Sequence, residues 1–144
     1  YIAKMMIEYR HSLEGITDDA LGGFFSGWPS PPSVSKFREI LEKSYAVALA
    51  WDSERSEVIG FATAISDGVF AAFIPLLEVK ADYQKRGIGR ELVRRIEAQL
   101  GGMYSIDIVC DPEMESFYSR LGYVSLCGQA KRFRLAMDDL AHTK

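Results

Sequence analysis

The sequence predicts an α/β (α+β) fold: a single mixed, mostly antiparallel central sheet with helices on both faces. Three observations point there. Two apolar runs joined by a short polar segment read as an antiparallel hairpin over 45–66, and a nearly all-apolar run over 70–79 reads as a central strand. A long amphipathic helix beginning near Gly87 then connects that strand to another over 103–110, a unit that closes as a right-handed parallel crossover.

Each element has its own signal. Residues 5–10 read as a first strand, and Thr17 followed by Asp18 and Asp19 places carboxylates where a helix start favours them, predicting a short helix over 17–25. A loop carrying Pro29, Pro31 and Pro32 leads into SVSKFREILEKS, where Phe37, Ile40 and Leu41 share a helical face. YAVALAWD (45–52) and EVIGFATAIS (57–66) are strands joined by DSERS. After the Asp67-Gly68 turn, FAAFIPLLEV is expected to be covered on both faces. Ile88, Leu92, Val93, Ile96 and Leu100 then recur at helical spacing until Gly101-Gly102 stops them. MYSIDIVC (103–110) is a strand, Pro112 opens a helix running through Leu121, Gly122 ends it, and one or two closing strands fall within 123–136.

The 144 residues are 48% hydrophobic and 26% charged, which suits one folded domain over 1–144. A net charge of -3 argues against nucleic acid and anionic membrane as partners and favours a cationic acceptor. Cys110 and Cys127 are too few for a disulfide framework and lack zinc-site spacing, so no metal is expected and the setting is reducing and cytoplasmic. No apolar stretch nears the roughly 20 residues that span a bilayer, and YIAKMMIEYR lacks a signal-peptide layout.

The most informative segment is Gln84-Lys85-Arg86-Gly87-Ile88-Gly89-Arg90, between the central strand and the long helix. Its glycines let backbone approach a ligand, and the helix start supplies free N–H groups and a positive dipole end for an anion. Alone, Gly-x-Gly is more often an ordinary tight turn. It is not a P-loop, since Gly89 is followed by Arg90-Glu91, nor a dinucleotide loop, since Leu92 holds the third glycine place.

Gln84, Gly87 and Gly89 match the Gln/Arg-x-x-Gly-x-Gly/Ala pattern, and Phe117-Tyr118-Ser119-Arg120-Leu121-Gly122-Tyr123 matches a second pattern downstream, so residues 74–124 resemble the GCN5-related N-acetyltransferase superfamily. That resemblance implies an N-acetyltransferase with acetyl-CoA as donor. Amides of Lys85, Arg86, Gly87, Ile88, Gly89 and Arg90, with Gln84, would bind the pyrophosphate, and Leu77 to Val79 would pair with the pantetheine arm as an added strand. Many members carry Asn seven residues before the tyrosine, where this chain has Asp111. The acceptor would be a primary amine of a small molecule or peptide. A coenzyme A-binding sensor of the same fold, without catalysis, is the alternative.

Direct attack of an amine on the thioester raises two proton questions. An alkyl amine of pKa about 10.4 is mostly charged near neutrality, so a base or water relay is needed. Glu78 is the leading candidate, because a carboxylate within an apolar strand is costly unless paired or functional; its bland role is a strand-end residue reaching solvent or pairing with an arginine. Asp107 and Asp67 are weaker candidates, the latter being ordinary turn chemistry before Gly68. His11 is a surface residue, and Cys110 is expected to be a small buried hydrophobe rather than a nucleophile. Tyr118 is assigned as the donor to the departing thiolate, against a plain core role on its helix. At reference values full proton transfer from phenol to thiolate runs uphill by about 2 kcal/mol, so a strong hydrogen bond is the expected form of help. Phe24, Phe25 and Trp28 make the proline-rich loop aromatic enough to wall the acceptor site; the same residues could instead cap the core or meet the second copy of a homodimer.

Overall fold

The structure is a computed structural model that describes residues 6–132. One sheet holds five strands in chain order: β1 (Ile7–Arg10), β2 (Ala46–Asp52), β3 (Glu57–Ser66), β4 (Ala71–Val79) and β5 (Ser105–Ile108). β1 through β4 pair antiparallel, while β5 runs parallel to β4 across a crossover containing helix α2 (Ile88–Gln99). Helix α1 (Val34–Lys43) precedes β2, and the short α3 (Glu115–Arg120) follows β5. The chain divides into two compact units: residues 6–24 with 32–109, which hold the sheet, α1 and α2, and residues 25–31 with 110–132, which hold α3.

Within the first unit the two long helices take opposite faces of the sheet. Gly60 and Phe61 are successive on β3 and so point opposite ways. A Cβ at Gly60 would lie 3.1 Å from Leu92 of α2. The Phe61 ring meets Phe37 of α1 at 4.6 Å between centroids. The α2 face is floored by Ala46, Ala48, Ala50, Ala62, Ala64 and Ala72, small residues that let the helix lie close and bury Leu92 and Ile96 completely. Each such side chain contributes about 1.5–3 kcal/mol of burial. Ser33 caps α1, its Oγ accepting from the Lys36 N–H at 3.1 Å.

β4 breaks the regular pairing of the sheet. Opposite the step from Thr63 to Ile65 on β3, β4 runs from Leu76 to Phe73, so it accommodates one extra residue beside Pro75. The ladder to β5 runs from Ala71↔Ser105 to Ile74↔Ile108 and goes no further. Residues 76–79 therefore pair with β3 alone. The expectation that this strand is covered on both faces is corrected: residues 75–79 are half-buried and Phe73 is 37% exposed. Its apolar composition serves an open edge as well as the core.

Other expected elements are shorter than predicted. The helix over 17–25 is only a 3-10 turn, Asp18–Leu21; Thr17 gives no side-chain cap, and Gly22 turns back to extended backbone. The helix from Pro112 divides into a 3-10 turn, Pro112–Met114, and α3, ending before Gly122 at φ +93°. Residues 123–132 form no strand, and the remainder of the predicted closing strands, 133–136, lies outside the described residues. Among the described residues no helix is long and apolar enough to cross a membrane.

Candidate active site

The open edge of β4 can be read group by group. The Lys80 N–H donates to the Ile59 carbonyl at 2.9 Å, which turns Lys80 toward β3. Strand alternation then directs the N–H and C=O groups of Leu77 and Val79 the other way, to the edge that β5 has left. Gln84 folds back and its Nε2 donates to the Val79 carbonyl at 2.9 Å, so its side chain braces the end of β4.

Beyond that brace the backbone turns sharply. Lys85 has φ +62° and Gly87 φ +80°, and Gly87 is the N-cap of α2 with no side-chain cap bond. The first helical hydrogen bond runs from the Glu91 N–H to the Gly87 carbonyl, so the N–H groups of Ile88, Gly89 and Arg90 have no acceptor within the helix. Nothing lies within 4 Å of where a Gly87 Cβ would project. Gln84, Lys85, Arg86 and Gly87 are exposed, while buried Ile88 anchors the turn. A diphosphate fits this combination of free amides, open space and nearby cations.

The turn is held by a pair that sequence reasoning missed. Tyr83 and Asp52 are 6% and 4% exposed, and the Tyr83 hydroxyl donates to Asp52 Oδ2 at 2.6 Å. Asp52 Oδ1 in turn accepts from the N–H groups of Glu54 and Arg55 at 3.0 and 3.2 Å, closing the β2–β3 connection. Burial alone would push the Asp52 carboxyl up; the Tyr83 hydroxyl, the two N–H groups and the Arg55 charge hold it below the usual carboxylate range. The Tyr83 phenol is pushed up to about 12 by burial, then by Asp52.

Several predicted residues lie on the α1 face of the sheet. Glu78 pairs across to Phe61, so both side chains share that face. Phe24 packs edge-on against Phe61 at 5.0 Å and Phe37 at 5.6 Å, with the Lys80 ammonium 4.9 Å from its ring centre. Asp107 pairs with Phe73 and, alternating with Ile106 and Ile108 of the α2 face, projects from this same face. Asp67 instead accepts from the N–H groups of Val69 and Phe70 at 2.8 Å each and of Ala71 at 3.4 Å, which holds its carboxyl low and identifies it as turn chemistry. His11 Nδ1 lies on the surface, 3.2 Å from Gln99.

In the second unit, Tyr118 is 8% exposed, and its ring packs edge-on against Phe117 at 5.0 Å and Tyr123 at 5.8 Å. Burial, then the neighbouring Cys110, pushes its phenol up to about 12. Cys110 is exposed, correcting the expectation of a buried hydrophobe. Partial shielding of its sulfur and the carboxylates of Asp111, Glu115 and Glu113 push its thiol up, the opposite of what a nucleophile needs. Phe25, buried at φ +62°, meets Trp28 edge-on at 5.1 Å, and Trp28 is 46% exposed.

Comparison with known proteins places the chain in a family and a fold. The Acetyltransferase (GNAT) family model matches residues 13–123. GCN5-related N-acetyltransferase 1, chloroplastic, of Arabidopsis thaliana is 29% identical over 120 residues, 81% of this chain and 60% of that protein. Serotonin N-acetyltransferase 2, chloroplastic, of Oryza sativa subsp. japonica is 32% identical over 120 residues, 79% of this chain and 60% of its own length. The chain thus spans about 60% of the length of these curated relatives. A crystal structure of a candidate acetyltransferase from Deinococcus radiodurans R1 is 43% identical with a TM-score of 0.85, covering 88% of this chain and 87% of that one. An aminoglycoside N-acetyltransferase in complex with CoA shares the fold at a TM-score of 0.63 and 19% identity, over 93% of this chain and 99% of its own. With a sheet whose fourth strand leaves its parallel neighbour just before a glycine turn that opens α2, the chain belongs to the GNAT acetyltransferase family.

Proposed function

We propose that the protein transfers an acetyl group from acetyl-CoA to a primary amine of a small molecule or peptide, with both substrates bound together. The observation that carries this is the edge of β4 from Pro75 to Val79, left by β5, braced at the Val79 carbonyl by Gln84 and followed after a short 3-10 turn by residues 84–90. A donor with two amides and a diphosphate matches such a site part for part. When bound, it supplies the activated acetyl thioester.

The residues then divide the work. Leu77 and Val79 hold the donor's amide arm through backbone groups, and the amides of 85–90 with Lys85, Arg86 and Arg90 hold its diphosphate. Holding two substrates together supplies several kcal/mol of barrier reduction, about 7–11 kcal/mol at the upper end. Glu78 accepts the proton of the incoming amine, directly or through water. Tyr118 is assigned, on its sequence motif, to donate a hydrogen bond to the departing sulfur. Phe24, Phe25, Trp28 and Asp107 are assigned to the acceptor. A single domain and a cytoplasmic location belong to the same proposal; cell fractionation separates the cytoplasm from the chloroplast named in the plant relatives.

Thiol release from acetyl-CoA against a panel of amines tests the transfer; coenzyme-dependent thermal stabilisation with no turnover on any amine would favour a sensor. Replacing Gly87 by Val adds a side chain to open space at φ +80°, where an L residue costs about 1–2 kcal/mol. The expected result is coenzyme A affinity weakened at least about tenfold by calorimetry, with the fold retained. Glu78→Gln should lower kcat most at neutral pH and recover as pH approaches the amine's pKa of about 10.4, because a neutral amine needs no base.

A further inference from the structure

Between α1 and the strands β3 and β4 lies a groove of about 280 Å³ that none of the predicted roles uses. Ile40, Thr63, Ile65 and Pro75 line it, and most of its wall is apolar. Thr63 is completely buried, yet its Oγ1 has no hydrogen-bond partner among the described residues. A buried hydroxyl without a partner is costly, and the cost is removed by a ligand that supplies the missing oxygen or nitrogen. At the rim, Glu39 is shared between Lys36 at 3.3 Å and Lys43 at 2.9 Å. One carboxylate between two ammonium groups leaves one positive charge in excess.

The groove also has a direction. Pro75 lines it and marks the bulge beside which β4 parts from β5, so the groove begins at the mouth of the open edge. Thr63 pairs across to Leu76, and Glu78 lies two residues further along β4 on the same face, about 7 Å away by strand rise. We infer that the acceptor amine carries a compact apolar body and a carboxylate: the body fills this groove, the carboxylate meets the Thr63 hydroxyl and the surplus lysine charge, and the amine points toward Glu78. Polycations are disfavoured by the same rim. This inference rests on the proposed acetyl transfer.

Two measurements separate the groove from the transfer. 4-Methylbenzoate has the body and carboxylate but no amine to acetylate, and its binding is read by amide shifts in the full chain. The expected result is shifts at Ile40, Ser44 and Ile65, about tenfold weaker binding in Thr63→Val, and binding retained in Thr63→Ser. Thr63→Val should keep or raise the melting temperature, since it removes an unpartnered hydroxyl. Unshifted groove amides, or equal affinity in Thr63→Val, would overturn the inference. As acceptors, 4-(aminomethyl)benzoate should exceed 4-methylbenzylamine and spermidine by about tenfold or more in kcat/KM. Equal or better use of either competitor would overturn it too. Absence of thiol release with every amine, with 4-methylbenzoate still bound, would instead remove the transfer reading.

Discussion

Tyr118→Phe is expected to lower kcat about 10²-fold while leaving coenzyme A affinity and the melting temperature nearly unchanged. A factor of 10² is about 2.7 kcal/mol, the size of a strong hydrogen bond to a developing anion. The stability part rests on packing: the Tyr118 hydroxyl makes no hydrogen bond among the described residues, whereas its ring packs on Phe117 and Tyr123 and a phenylalanine keeps both contacts. The phenol pushed up to about 12 sharpens the chemistry. Against a thiol of about 8.5, full transfer would run uphill by roughly 5 kcal/mol, more than the reference values allow for. Tyr118 is therefore better suited to hold its proton and donate a hydrogen bond than to give the proton up.

The pH dependence has a definite sign. A phenol raised to about 12 remains a donor throughout the range in which the enzyme can be assayed. kcat/KM should climb toward the amine pKa, with no falling limb from Tyr118 below about pH 11. Tyr118→Phe should lower that curve without changing its shape. A falling limb near pH 9 to 10 that vanishes in the variant, or undiminished turnover, would remove the assignment.

The reach of the sequence differs from element to element for physical reasons. The hairpin over β2 and β3, the long helix α2 and the parallel return to β5 are encoded in local periodicity and turn chemistry, and they stand within a few residues of expectation. The turn that opens α2 at Gly87 was legible because glycine and a helix start are local properties. Glu78 and Asp107 sharing a face was not, because the bulge between Phe73 and Leu76 changes the alternation that a plain count of residues assumes. Proline inside FAAFIPLLEV was the available signal, since a residue without an N–H seldom sits in the middle of a fully paired strand. The Asp52–Tyr83 pair joins residues 31 apart in the chain, and no local pattern announces it. Thr63 likewise reads as one more β-branched strand residue until its missing partner is seen in three dimensions.

Asp52→Ala is expected to destabilise the fold more than any other substitution named for this chain. It leaves the Tyr83 hydroxyl buried without an acceptor and frees the N–H groups of Glu54 and Arg55, together costing about 3 kcal/mol. For a domain of this size that corresponds to a melting temperature lower by about 10 °C. Tyr83→Phe should cost less, about 2 kcal/mol, because Asp52 keeps its two backbone donors; the double variant should fall short of the sum, since both changes remove one shared bond. Coenzyme affinity should drop in each, because Gln84 and the turn beyond it are tied to the sheet through Tyr83. The pH signs are opposite at the two ends. Asp52 has a depressed folded-state pKa, so its contribution is present above its usual carboxylate range and is lost as pH falls through the folded value. Tyr83 has a raised one, so its contribution is full below about pH 10 and is lost as pH rises toward about 12. The stability gap between the native chain and Tyr83→Phe, measured by urea unfolding, should hence be flat from about pH 5 to 9 and narrow on both sides. A gap independent of pH beyond those limits would mean that the bond holding the turn before α2 is not the one between these two side chains.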